Sequence, residues 1–250
     1  MKKYLSVVIP AYNEATNYLS GVLDPAISFL EKQKYPWEVL FVDDGSTDNT
    51  KQLLRNFCRQ HHHCKLATIK HGGKAAAVTA GILKAAGEII LMTDFDQSTP
   101  LNQVKKFIAA HKKGYHLAIG SRGKKFKTEK DTLFRRFRGH IWVTIVQLVL
   151  SLGITDTQCG FKSFTKVTAN RLFKNLKVTN IGKVVGGYMG AWDIEVLFLA
   201  KKAGHKIVEI PVRWVKIPGN RLNPWKEPLM MIRDAFKIRM FDLQGKYQGL

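Results

Sequence analysis

Two carboxylates one residue apart, Asp94-Phe95-Asp96, follow the apolar run Ile89–Met92. On an extended backbone residues i and i+2 point the same way, so both carboxylates would face one pocket while Phe95 turns to the opposite side. Like charges held that close repel unless a cation sits beside them. Mg2+ or Mn2+, which take a few carboxylates together with substrate phosphates, suit the pair. The next residues, Ser98-Thr99-Pro100, offer a hydroxyl N-cap and a proline for the first helical position, which leaves the aspartates available for a ligand. A second acidic pair opens Asp43-Asp44-Gly45-Ser46-Thr47-Asp48. One of the two can accept hydrogen bonds from a base or a ribose, and Thr47 or Asp48 can cap the next helix. His71-Gly72-Gly73-Lys74 would carry a cation to phosphates at another helix start. It is no Walker loop, since the GxxxxGK[ST] frame fails at Thr68 and Ala75, and no GxGxxG comes after the first apolar run. P-loop hydrolysis and dinucleotide binding lose their support.

The elements that must position these residues alternate. Short apolar or β-branched runs (Leu5–Ile9, Val39–Val42, Leu66–Ile69, Ile89–Met92, Leu117–Ile119) are separated by helical stretches near Asn17–Gln33, Asp48–Gln60, Lys74–Ala86 and Leu101–Lys112. That succession predicts a parallel sheet with helices on both faces. Ligands of open α/β sheets bind at the carboxyl ends of the strands. Three such ends here carry carboxylates (Glu14, Asp43-Asp44, Asp94 and Asp96), in a protein otherwise short of them.

That shortage is the second signal. Forty Lys and Arg against nineteen Asp and Glu leave a formal charge of +21, which calls for a polyanionic partner: nucleic acid, an anionic membrane or phosphorylated substrates. Nucleic acid is disfavoured because the acidic strand ends would repel a phosphate backbone, and no reading helix or basic-aromatic sheet face is evident. Three cysteines without CxxC spacing argue for reduced thiols in a cytoplasmic setting. The tract His61-His62-His63-Cys64 lacks a second ligand pair and reads as a solvated helix end. The start, Leu5–Pro10, is too short and too soon polar for a signal peptide, and reads as a strand.

The second half is less regular. A basic loop, Arg122–Arg138, leads into Ile141–Ile154, apolar except for Thr144, Gln147 and Ser151, and shorter than the roughly 17–25 residues that span a bilayer. A buried or interfacial helix fits it. Strands are expected near Gly160–Phe164 and Ile207–Pro211, with a helix at Ile194–Ala203 between them. Trp225–Phe241 interleaves apolar and basic residues in an amphipathic pattern that serves either core packing or an anionic membrane surface. The chain divides accordingly into a catalytic domain over 1–222 and an amphipathic segment over 223–250, either core-packed or membrane-associating.

Taken together, Val7-Val8-Ile9-Pro10-Ala11-Tyr12-Asn13-Glu14, Val42-Asp43-Asp44-Gly45-Ser46-Thr47-Asp48, Gly73-Lys74 and Asp94-Phe95-Asp96 resemble the family 2 glycosyltransferases of the GT-A fold. Gly120-Ser121-Arg122, Asp156-Thr157-Gln158-Cys159-Gly160-Phe161-Lys162, Trp192-Asp193-Ile194-Glu195 and Ile210-Pro211-Val212-Arg213-Trp214 are similar to the subgroup that glycosylates dolichyl or other polyprenyl phosphates. The Gln-Cys-Gly-Phe-Lys wording points to its β-glucosyltransferases. The resemblance covers residues 5–222.

It implies an α/β, mostly parallel sheet flanked by helices, with a nucleotide-diphosphate sugar as donor and a polyprenyl or dolichyl phosphate as acceptor. Pro10, Tyr12, Glu14 and Asp43 would hold the nucleotide and Lys74 would approach its phosphates. Asp94 would contact ribose or metal, Asp96 would ligate Mg2+ or Mn2+, and Ser98 stands where mannosyltransferases place a metal-binding glutamine. Arg122 and Arg135 would hold the acceptor phosphate and the donor diphosphate, with Asp156 beside the reacting sugar. The loop reads Gly-Lys-Ala where the family usually has Gly-Lys-Gly. An acceptor phosphate is already ionised near neutral pH, its second pKa being about 6, so it needs aligned cations more than a general base. In-line attack would invert the anomeric centre and turn an α-linked UDP-glucose into a β-linked product. GDP-mannose as donor is the alternative. A hydroxyl acceptor, with Asp156 as base, is another, though the QxxRW motif of processive synthases is missing. Such an enzyme would work at the cytoplasmic face of a membrane.

Overall fold

The computed structural model describes residues 3–122, 144–179, 191–215 and 226–250. Seven strands form one sheet in the order β3-β2-β1-β4-β6-β5-β7: β1 Leu5–Ala11, β2 Trp37–Asp43, β3 Cys64–Thr68, β4 Ile89–Met92, β5 Leu117–Ser121, β6 Lys162–Thr165 and β7 Ile207–Pro211. All pairs are parallel except those of β6, which runs antiparallel between β4 and β5. The five apolar runs of the first half are therefore strands, as expected. The later strand starts two residues past its expected beginning and points the other way.

Residues alternate between two apolar layers. Val8, Leu40, Val42, Ile90 and Met92 face one side, and Val7, Ile9, Val39, Phe41 and Leu91 the other, all nearly inaccessible. This is the period-two consequence of the pleat, and a strand apolar on both faces needs a helical layer on each. Helices α1 Ala15–Leu19, α2 Asp24–Glu31, α3 Thr50–Gln60, α4 Lys74–Lys84 and α5 Val104–Lys112 supply the layers for the first half. Burying a Val, Leu, Ile or Phe stabilises by about 1.5–3 kcal/mol, so packing, more than propensity, keeps α4 helical despite its β-branched residues. Gly81 lets α4 approach closely: a Cβ there would lie 2.4 Å from Val8 Cγ1.

The single helix expected over Asn17–Gln33 is two. Gly21 at φ +74 closes α1 and cannot continue a right-handed helix. Helix 144–150, here α6, ends sooner than the apolar run Ile141–Ile154 suggested. Ser151 and Gly153 are left-handed, and the Gln147 amide closes the turn by donating to Ile154 O and accepting from Gly153 N. Val146, Leu150, Leu152 and Ile154 are buried, whereas Leu148 is exposed. Helices α7 Lys166–Lys174, α8 Trp192–Lys202 and α9 Lys226–Leu243 follow among the described residues. The inner side of α9 (Ala235, Ile238) joins the same apolar layer as α8. No described helix is long and apolar enough to cross a membrane.

Candidate active site

The strand order reverses at β1, whose neighbours β2 and β4 continue the chain to opposite sides. Such a switch point opens a crevice at the carboxyl ends of the strands. Pro10 sits in β1 opposite Val42, beyond the last β4 pair, Val8↔Met92, so its missing N–H costs no bond on that side. The loops after β1 and β2 are laced together. Asn13, left-handed at φ 54, takes Thr47 N on its Oδ1 (2.9 Å) and gives its own N–H to Ser46 Oγ (3.0 Å). Glu14 N donates to Thr50 Oγ1 at 2.7 Å, and the Glu14 carboxylate accepts from the Asn17 amide. Neither Thr47 nor Asp48 is the N-cap of α3: that position is Asn49, which makes no side-chain cap bond, and Asp48 Oδ1 accepts from Thr50 N at 2.9 Å from one residue earlier.

The acidic pair splits its duties. Asp44 is structural: its carboxylate accepts Gly72 N (2.8 Å) and Gly73 N (2.9 Å) and meets His71 Nδ1 (2.9 Å). That contact seats His71 flat against Tyr12, ring centroids 4.2 Å apart and 14° from parallel. Asp43 is fully buried at the end of β2. Its Oδ1 accepts only Ser46 N at 3.3 Å, and its Oδ2 has no hydrogen-bond partner among the described residues.

Asp94-Phe95-Asp96 is not extended. After β4 the chain reverses, with Gln97 left-handed at φ 51 and its N–H returned to Asp94 O. Phe95 is buried beside Phe41. The carboxylates therefore do not project as neighbours on one strand face. Asp94 Oδ1 takes Lys74 Nζ at 2.6 Å, and Asp96 Oδ1 takes Ser98 N at 2.9 Å. Ser98 does not cap a helix. Pro100 holds the N-cap position of the 3-10 turn Leu101–Gln103 with no side-chain cap, because its extended ψ of 135 delays the helix by one residue. Buried Ser98 instead accepts Val215 N on its carbonyl. Among the described residues no group of three His, Cys, Asp or Glu could hold a metal by itself.

On the other side of β4, Arg122 and Asp156 form a fork: Nε to Oδ2 and Nη2 to Oδ1, both 2.8 Å, with Arg122 N adding a third bond to Oδ2 at 2.9 Å. The guanidinium lies 5.7 Å from the centre of the Trp214 ring. Arg135 lies outside the described residues. The two pairs feel each other. Burial alone would raise both carboxyl pKa values. Lys74 outweighs it at Asp94 and Arg122 at Asp156, and both stay below the ordinary aspartate value. Lys74 rises above the usual lysine value, since Asp94 more than offsets its burial.

Three participants were given no role from the sequence, although Lys162 and Asp193 lie inside motifs quoted above. Glu209 on β7 accepts Thr155 Oγ1 (2.8 Å), Thr155 N (3.0 Å) and Asp156 N (2.9 Å), and so fixes the segment that carries Asp156. Lys162 is fully buried at the start of β6. It donates to Cys159 O at 2.5 Å, and burial lowers its pKa despite the nearby charges of Asp193 and Asp156. Asp193 is buried too, and burial raises its pKa against Lys162. A Glu inside an otherwise apolar edge strand and a Lys between two phenylalanines were the available signals. Gly160 completes the wall: a Cβ there would fall 2.0 Å from Asp94 Oδ2. The whole is a crevice of paired, alternating charges. It can admit a diphosphate by exchange of partners, with a stacking platform and an unpaired buried carboxylate oxygen at one end.

Residues 6–173 match the family model described as Glycosyl transferase family 2. A dolichyl-phosphate beta-glucosyltransferase of Dictyostelium discoideum is 34% identical over 257 residues, covering 97% of this chain and 76% of that protein. Among solved structures, mannosyl-3-phosphoglycerate synthase from Rubrobacter xylanophilus superposes with a TM-score of 0.62 at 16% identity, over 99% of this chain and 77% of that one. Glucosyl-3-phosphoglycerate synthase from Mycobacterium tuberculosis, in complex with Mn2+, UDP and glucosyl-3-phosphoglycerate, gives 0.58 at 15% identity, over 96% and 79%. At these identities the structural likeness shows the fold, GT-A.

Proposed function

Given that the chain belongs to glycosyl transferase family 2, we propose that it is an inverting enzyme that moves glucose from UDP-glucose onto a dolichyl or polyprenyl phosphate. The observation that carries the reading is Asp43 Oδ2, a buried carboxylate oxygen without a partner among the described residues, next in the chain to Asp44, which seats His71 against Tyr12. A buried acceptor-only group left unpaired is costly, and a nucleotide supplies the missing donor from its base or ribose. The acceptor class is supported by the relative of that name in Dictyostelium discoideum, matched over nearly the whole chain.

The residues present suit a Mg2+ or Mn2+ ion with the donor. Asp94 and Asp96 offer hard oxygen donors, and Asp96 keeps a carboxylate oxygen without a hydrogen bond among the described residues. These two, with Ser98 adjacent, would hold it, and a bound ion offsets charge on the leaving diphosphate. Lys74 lies against Asp94 and meets donor phosphates in this reading. Arg122 spends two side-chain donors on Asp156, and the remaining N–H groups of its guanidinium hold an acceptor phosphate in line behind the anomeric carbon. Arg135 shares this role. Asp156 orients Arg122 beside the sugar, and Pro10, Tyr12 and Glu14 shape the nucleotide end. The catalytic domain spans 1–222, with a membrane-associating segment at 223–250. The enzyme works at the cytoplasmic face of an anionic membrane, and nucleic acid is not its partner.

Labelled nucleotide sugars offered with polyprenyl phosphate test the reading. Label from UDP-glucose should enter the organic phase. Preference for GDP-mannose overturns the donor, and transfer only to hydroxyl acceptors overturns the mechanism.

A further inference from the structure

We propose that the outward face of α9 is a docking surface for an anionic lipid bilayer. The reason for having such a surface rests on the lipid-phosphate reading; the surface itself rests on exposure and charge along the helix. Leu229, Phe236, Met240 and Leu243 are exposed by 68%, 55%, 45% and 76%. They stand at i, i+7, i+11 and i+14, which at about 100° per residue confines them to one stripe about 60° wide. The opposite side of the helix holds Ala235 and Ile238, both at 0% exposure. One helix thus has two apolar faces, and only one is covered by the described protein.

Charge identifies the occupant. Arg233 and Lys237 border the stripe on one side and Arg239 on the other. The acids turn away: buried Asp234 takes the Arg233 guanidinium at 2.9 Å, and Asp242 is bound by Lys202 of α8 at 2.5 Å and by Arg239 at 3.2 Å, which leaves Lys237 as the border cation without an acidic partner among the described residues. An apolar stripe with cationic borders is the pattern of a helix lying in a headgroup layer. A second copy of this chain would set the same cations against each other, in a protein of charge +21. The stripe is also held firmly. Beyond the helix, Tyr247 donates from its hydroxyl to buried Glu195 at 2.7 Å, which ties the C-terminal end to α8. Near the other end, Gln158, two residues after Asp156, donates to Met231 Sδ at 3.3 Å. Met231 is on the covered side of the helix, about 150° from the stripe at about 100° per residue, so the loop that carries Asp156 packs against the inner face of the helix whose outer face meets the bilayer.

Co-sedimentation with phosphatidylcholine vesicles, with and without phosphatidylglycerol, tests this. Wild type should bind the anionic vesicles, and less at high salt, because the attraction decays over a Debye length of about 8 Å at physiological ionic strength. Phe236→Ser with Leu243→Ser should weaken binding about tenfold, while Leu19→Ser, an equally exposed leucine elsewhere, should change nothing. Unaltered melting and UDP affinity certify that the double variant is folded. With a short-chain, water-soluble prenyl phosphate it should transfer sugar as well as wild type, and with acceptor embedded in vesicles it should fail. Equal vesicle binding by the double variant, equal binding to neutral vesicles, or a dimer that the double variant abolishes would each overturn the proposal. Vesicle binding through α9 without transfer to either acceptor would leave the surface standing and overturn the lipid-phosphate function.

Discussion

The backbone N–H of Asp156 points at Glu209 while its carboxylate points at Arg122, so one aspartate is gripped from both sides, at 2.9 Å by each backbone contact. Glu209 on an edge strand thereby sets the angle at which the Arg122 guanidinium is presented to the crevice. Glu209→Ala should free the 155–156 segment and lower turnover about tenfold, as expected for losing a few hydrogen bonds. Because donor contacts lie elsewhere, UDP affinity measured by calorimetry should hold; a parallel loss of UDP binding would contradict this.

Arg122→Lys keeps the charge and loses the fork. Two parallel bonds to Asp156 become one, and the residual donors can no longer hold a planar phosphate face. Efficiency with the lipid acceptor should fall by roughly 10–100-fold, mainly in the acceptor KM and kcat. Near-normal kinetics would show that charge alone suffices.

Asp43→Asn alters one oxygen. The Ser46 contact survives on the remaining carbonyl, but the other oxygen, an acceptor in Asp43, becomes an NH2 that can only donate. UDP should bind about tenfold more weakly, with melting temperature unchanged or raised, since an unpaired buried charge has been removed.

Asp96→Asn should lower turnover by roughly a hundredfold or more while the protein stays folded, and chelator should silence the wild type in the same way. Circular dichroism separates this from unfolding. Turnover near the wild-type rate without divalent ion would refute the metal requirement.

Acid should weaken the fold through the two ion pairs. Asp94 and Asp156 have folded pKa values below the ordinary one, so each contributes stability that is complete above the unfolded value, about 3.9, and lost as pH falls through the folded one. Melting temperature should therefore drop steeply below about pH 4. Asp156→Asn should flatten that slope; identical slopes would remove the pair from the account.

The strands and their acidic ends were legible because apolar runs of period two and strand-end carboxylates are local patterns. Inference from sequence neighbours alone was less secure. Asp94 and Asp96 read as partners on an extended chain, yet a left-handed Gln97 folds them into a turn and hands one to Lys74 and the other to Ser98. The break at Gly21 needed a backbone angle that no hydrophobic count reports. Glu209 was missed, and Lys162 and Asp193 stood in quoted motifs without a role, for a different reason. Glu209 bonds Asp156, and the charges of Lys162 and Asp193 act on each other, only through β6 and β7, the one antiparallel and the other at the edge. Glu195 shows the same limit: within an acidic motif it looks functional, yet its carboxylate is consumed by Lys177, Val178, Thr179 and Tyr247.

Asn13 has a consequence for the thermodynamics of recognition. Its left-handed backbone and its bonds to Ser46 and Thr47 fasten the first two strand-end loops to each other before any ligand arrives. Few residues besides Asn, Asp and Gly adopt that geometry cheaply. The ordering entropy of the nucleotide cradle is thus surrendered once, during folding, and not again at each encounter with a donor. Donor association should accordingly resemble docking onto a rigid mould, with little heat-capacity change beyond the area the nucleotide itself covers.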